Sequence, residues 1–183
     1  PPVAHLREAH RAFFWKWLGE PAQDIHQTPR WGLKETRLTM DHARYLRWLF
    51  PKSRFLFIYR NPIAAFRSWK GNAWYSPWSR YDTWSPVGFA RHWRLLMKGF
   101  LDGHHEVEGM LVKFEDLIEG KIPLSKIAEH IGVKRLDPEI LDRNIASPGG
   151  RRTRPYEQAT AVDRLLIRLL GGPLMKRAGY DNG

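Results

Sequence analysis

The chain has 183 residues, 43% of them hydrophobic, which is enough for one well-buried core and a single domain spanning 1–183. It contains no cysteine, which excludes disulfides and thiolate metal sites and is compatible with a cytoplasmic compartment. Net charge is +11, from 30 Lys and Arg against 19 Asp and Glu; the cations are spread along the chain without a nucleic-acid motif, and no apolar run approaches the ~18 residues of a membrane span.

In chain order, residues 3–18 (VAHLREAHRAFFWKWL) space Leu6, Phe13, Phe14, Trp17 and Leu18 as an amphipathic helix, with Gly19 as its stop. His5, Glu8 and His10 lie along it. A polar, proline-bounded loop is predicted over 20–30, carrying His26. Trp31 to Thr36 reads as a short strand, so Lys34 and Thr36 share one face and Glu35 points to the other. Residues 39–50 carry Ala43, Leu46, Leu49 and Phe50 at helical spacing before Pro51, with Asp41 and His42 as capping and surface groups. A helix between two strands is the pattern of a parallel sheet.

The next segment, RFLFIYRNPIAAFRS from Arg54 to Ser68, organises the rest. Phe55 to Tyr59 is an unbroken apolar run, the composition of a strand buried on both faces. Arg60 then stands at the carboxyl edge of the sheet, Asn61 can cap a helix, and Pro62 suits the first helical position. At about 100° per residue, the steps from Asn61 to Ser68 return the hydroxyl to Arg60's side. A guanidinium, a hydroxyl and free N–H groups at a helix start together form an anion pocket.

After that helix, Trp74, Trp78 and Trp84 lie in an aromatic loop, an anchor to the body or a flat wall for an acceptor. A helix follows over 86–102, then a buried strand from Met110 to Phe114, closed by Glu115, Asp116 and Leu117. One carboxylate of this acidic pair is expected to orient the Arg60 guanidinium. Short helices are predicted from Leu124 to Ile131 and from Pro138 to Ile145. The loop SPGGRRTRPY then carries Arg151 and Arg152. Ala159 to Leu170 closes as a helix with Val162, Leu165, Leu166, Leu169 and Leu170 on its buried side.

The strand–Arg–Asn–Pro segment with its later Ser resembles the element that binds the 3′-phosphate of 3′-phosphoadenosine 5′-phosphosulfate (PAPS) in sulfotransferases. RWGLKETRL, LFPKSRFLFIYRNP, MLVKFEDL and the terminal AGYDN are similar to further family segments in the same order. The resemblance implies a three-layer αβα fold with a parallel sheet, like that of P-loop nucleoside triphosphate hydrolases, and sulfuryl transfer from PAPS to a hydroxyl or amine of a glycan, lipid or small molecule. It implies that Arg60 and Ser68 hold the 3′-phosphate, that Arg151 or Arg152 closes over it, and that Lys34 meets charge developing on the bridging oxygen. It requires no metal. Where the cytosolic branch has a histidine base two places after that lysine, this chain has Thr36. Glu35 is the nearest candidate base, though on the opposite strand face, and Glu8, His5 and His26 stay open. The family's Pro-Lys-Ser-Gly-Thr-Thr-like phosphosulfate loop has no match, so the chain is expected to be N-terminally truncated and inactive alone. Two rival expectations remain: a non-catalytic nucleotide- or partner-binding module of the same fold, and a basic polyanion-binding protein.

Overall fold

The computed structural model describes residues 2–27, 30–71, 81–141 and 159–180. They form two compact units, Pro1–Ser53 and Arg54–Gly183.

In the first unit, α1 (Val3–Phe14) does not stop at Gly19. It passes through a wide π turn, Trp15–Gly19, into α2 (Glu20–His26), where a loop was expected. The Glu20 N–H reaches back five residues to the Trp15 carbonyl. Widening the helix just ahead of Pro21 avoids the clash that a proline ring makes with the carbonyl four residues earlier. Gly19 serves close approach, because a Cβ there would lie 2.4 Å from the Trp15 ring. Helix α3 (Met40–Leu49) starts as read: Thr39 donates its N–H to His42 Nδ1 at 3.2 Å, so His42 is a cap. Phe14 and Trp31 both meet Phe50 edge-on, and His10 hydrogen-bonds the Tyr45 hydroxyl.

The strand expected from Trp31 to Thr36 is absent; these residues run irregularly into a bend. Glu35 gives the local reason. Its carboxylate accepts the N–H groups of Thr36 at 2.8 Å and Arg37 at 3.1 Å, a side-chain alternative to a strand ladder.

The second unit holds a small two-stranded parallel sheet amid helices, compatible with an α/β class. Strand β1 (Leu56–Tyr59) pairs with β2 (Met110–Lys113) in the register Leu56–Met110 to Tyr59–Lys113. Between them the chain makes α4 (Pro62–Gly71) and α5 (Pro86–Gly103). After β2 come α6 (Phe114–Ile118), a short helix that was not expected and that takes Phe114 from the predicted strand, and α7 (Leu124–Ile131), ended by Gly132 in the left-handed region. A short 3-10 turn spans Pro138–Ile140 and Leu141 follows it in a turn, while positions 142–145 of the helix expected there lie outside the described residues. The last helix, α8 (Ala161–Arg177), runs well beyond Leu170.

The main core joins α4, α5 and α8 through Phe66, Phe89, Trp93, Met97, Ile167 and Met175. A smaller cluster of Val112, Leu117 and Ile127 packs α6 and α7 near β2. Two burial expectations are corrected. Strand β1 is not buried on both faces: Phe57 is covered, whereas Ile58 is 50% exposed. On α8 the buried side is carried by Ile167, Gly171 and Met175, and Val162, Leu165 and Leu169 point outward. The leucine-rich pattern was apolar on two sides, and periodicity alone could not tell which one meets α5.

Candidate anion site at the strand-to-helix turn

Parallel pairing with β2 places the carboxyl end of β1 at Arg60. The turn that follows is fixed by side chains from three elements. Trp93 of α5 donates its indole N–H to the Arg60 carbonyl at 3.1 Å. Glu115 of α6 accepts the Asn61 N–H at 2.9 Å on one carboxylate oxygen and the Tyr180 hydroxyl at 2.8 Å on the other. Asn61 in turn caps α4, its side-chain oxygen accepting from Ile63 at 2.9 Å and Ala64 at 3.3 Å. At the far end of β1, His130 of α7 hydrogen-bonds the Phe55 carbonyl at 2.9 Å.

This census corrects one part of the expected pocket. Pro62 has no N–H, Ile63 and Ala64 bond the Asn61 side chain, and Ala65 bonds the Asn61 carbonyl at 2.8 Å. The donors at the start of α4 are therefore occupied internally, and the Glu115 carboxylate already answers the positive end of the helix. Any anion here is held by side chains. Arg60 is exposed, with its guanidinium 4.8 Å from the centre of the Phe114 ring. Ser68 is half-buried on α4, six residues after its first, and therefore about 9 Å along the helix axis.

Tyr180 was legible only as part of the AGYDN string, and its role comes from the fold. Gly179 takes φ +75°, a left-handed conformation that turns the chain back after α8 and suits glycine. The Tyr180 ring then meets Tyr59 edge-on and lies under the Lys113 ammonium, 4.5 Å from the ring centre. Lys113 also donates to the Gly179 carbonyl at 2.7 Å. Burial, reinforced by the hydrogen bond to Glu115, pushes the Tyr180 phenol well above its ordinary range, and burial raises Tyr59 as well. The bonds of Glu115 go to Asn61 and Tyr180 rather than to the Arg60 guanidinium it was expected to orient, which leans on Phe114.

The other candidates are placed as follows. Lys34 is exposed on the irregular segment of the first unit. Beside it, Glu35 is gripped by Arg37 through two bonds of 2.6 Å, which hold its carboxyl below the usual range and weaken it as a base. Glu8 pairs with Arg11 at 3.3 Å on the surface, and His5 is exposed. Trp84 is half-buried in the turn before α5, its N–H donated to Asp82 at 3.1 Å. Trp74, Trp78, Arg151 and Arg152 lie outside the described residues, as does the side chain of His26. Among the described residues no group of three or more His, Asp or Glu stands together to hold a metal ion. None of their helices is long and apolar enough to cross a membrane.

No family model, curated protein or solved structure matches this chain. The geometry of the turn therefore carries the functional reading.

Proposed function

We propose that the chain is a sulfotransferase-type domain that binds PAPS and transfers its sulfuryl group to a hydroxyl or amine of a glycan, lipid or small-molecule acceptor. The finer fold in this reading is a three-layer αβα architecture like that of P-loop nucleoside triphosphate hydrolases. One observation supports it most: a parallel strand ends at an exposed arginine, an asparagine-capped helix starts two residues later, and that helix carries Ser68. Arg60 would take the 3′-phosphate through charge-assisted bonds, with Ser68 as a second donor and Arg151 or Arg152 closing from the later loop. In the transfer, the acceptor oxygen or nitrogen bonds to sulfur as the bond from sulfur to the bridging oxygen breaks. The acceptor's proton passes to a base, and adenosine 3′,5′-bisphosphate leaves. Lys34 would stabilise charge on the bridging oxygen. Glu35 would serve as the base only when released from Arg37, and Glu8, His5 and His26 stay open for that role.

Calorimetry on the chain with adenosine 3′,5′-bisphosphate and with adenosine 5′-monophosphate tests the reading. The bisphosphate should bind more tightly, and Arg60→Ala should weaken it by ~10- to 100-fold, the worth of hydrogen bonds to a charged group. Equal affinity for the two nucleotides, or an Arg60→Ala variant that binds as well as the parent, refutes it. The pairing of Glu35 with Arg37 favours a second reading, a nucleotide-binding module without catalysis. That module binds the bisphosphate but gives no sulfated product.

A further inference from the structure

Helix α8 is apolar on two opposite sides. Its inner side, with Ile167, Gly171 and Met175, is buried against the α4 and α5 core. On its outer side Val162, Leu165 and Leu169 are 63%, 57% and 68% exposed. At about 100° per residue these three fall within about 60° of one another, a continuous ridge along two turns.

The exposed cations on the ridge's side of the helix are Arg168, about 60° round from Leu165, and Lys176, about 20° from Leu169; Arg177, further round, is paired with Asp102 at 2.6 Å. The only acid in the helix, Asp163, is half-buried, accepts the Thr160 N–H at 2.9 Å and faces Lys70 at 3.7 Å. A second exposed apolar ridge, on α1 and the π turn after it, differs in this respect. Beside Leu6, Phe13 and Trp17, the cations Arg11 and Lys16 are matched by Glu8 and Glu20, so charge there points to no partner.

We propose that the outer face of α8 is a docking site for an anionic lipid bilayer surface. The three aliphatic side chains enter the boundary between headgroups and acyl chains, while Arg168 and Lys176 keep their charges at headgroup level. Charge complementarity decides between occupants. A second copy placed on this ridge would bring Arg168 and Lys176 against their own like charges, whereas an anionic headgroup layer neutralises them, and the chain's +11 charge adds to the attraction. A bare polyanion would leave the aliphatic ridge in water. The inference is independent of the transferase reading.

The test is co-sedimentation of the chain with vesicles of equal phosphatidylserine and phosphatidylcholine, against vesicles of phosphatidylcholine alone. The chain should partition to the mixed vesicles and not to the neutral ones. Leu165→Ser with Leu169→Ser should lower partitioning by ~10-fold or more through lost apolar burial. Arg168→Gln with Lys176→Gln should lower it by ~25-fold, about five-fold for each cation, and a folded variant of this pair that binds like the parent overturns the proposal. Both pairs are exposed, and circular dichroism checks that the helices persist; should the serine variant unfold, the glutamine variant still decides. The proposal is overturned by equal partitioning to neutral vesicles, or by a serine variant that is folded and binds like the parent. It is also overturned if the parent self-associates through Leu165 and Leu169 without binding vesicles, which would assign the face to a second copy.

Discussion

Tyr180→Phe isolates the bond that fastens the last described residue to the strand-to-helix turn. The substitution keeps the ring, and with it the edge contact to Tyr59 and the packing under Lys113, and removes only the donor to Glu115. A hydrogen bond to a charged acceptor is worth about 1.5–3 kcal/mol, and the site is half-buried, so the expected loss at neutral pH is about 1–2 kcal/mol. The same bond makes a second, sharper expectation. The phenol's pKa lies above its ordinary value of 10.0 in the folded chain, because burial and the Glu115 hydrogen bond both disfavour phenolate. Above that pH the folded state holds more protons than the unfolded one. Stability present below it must fall as pH rises, with a limiting slope of ~1.4 kcal/mol per unit for one proton, acting over a pH range that solvent screening of this half-buried group shortens. The parent's advantage over Tyr180→Phe should therefore shrink as pH rises past about 10, while the linkage from Tyr59 is common to both proteins and cancels. Urea unfolding of both proteins from neutral to alkaline pH measures this difference. A difference that stays constant with pH, or a phenylalanine variant as stable as the parent, refutes the reasoning.

Gly88→Ala would ordinarily favour a helix, but a Cβ there would sit 1.8 Å from the Asp82 carbonyl oxygen. It should destabilise the chain by about 1–3 kcal/mol, read as a lower urea midpoint. Asn61→Ala removes the acceptor for two N–H groups of α4 and should cost about 1–2 kcal/mol, whereas Asn61→Asp, which keeps the oxygen, should be largely rescued; thermal melts of both compare them. Asp102 is held down to about 2, first by the Lys98 hydrogen bond and then by that of Arg177. Its contribution is present above the ordinary carboxylate range and lost as pH falls toward that value, so carbon-detected titration should find it ionised where exposed aspartates are half protonated.

Local chemistry was the most legible level of this sequence. The Asn61 cap, Pro62 at the helix start, the Thr39 and His42 pair, Gly132 as a stop and the span of α5 all follow from short-range steric and hydrogen-bonding rules, which need no knowledge of neighbours. Errors arose where a residue has two local uses. Gly19 looked like a helix stop and is a contact for Trp15; Glu35 looked like a residue in a strand and is a carboxylate that takes its neighbours' N–H groups; Val162, Leu165 and Leu169 looked like core and face outward. Each required knowing what lies opposite.

The candidate site divides in the same way. Arg60, Asn61 and Ser68 were readable because a strand, a turn and a helix meet within one stretch of chain. Glu115, Trp93 and Tyr180, which hold that turn in place, come from positions 33 to 119 residues further on and carry no spacing signal relative to it. Their effect is also to alter the chemistry expected there. Once Glu115 takes the Asn61 N–H and Asn61 takes those of Ile63 and Ala64, the helix start has no backbone donors left for an anion. In the proposed reading, affinity for a phosphate at this turn would then rest on side chains, the Arg60 guanidinium first, with Ser68 and Arg151 or Arg152 beside it. Arg60→Ala should consequently abolish most of the discrimination between a 3′-phosphorylated and an unphosphorylated nucleotide, a steeper loss than a site shared with backbone amides would show.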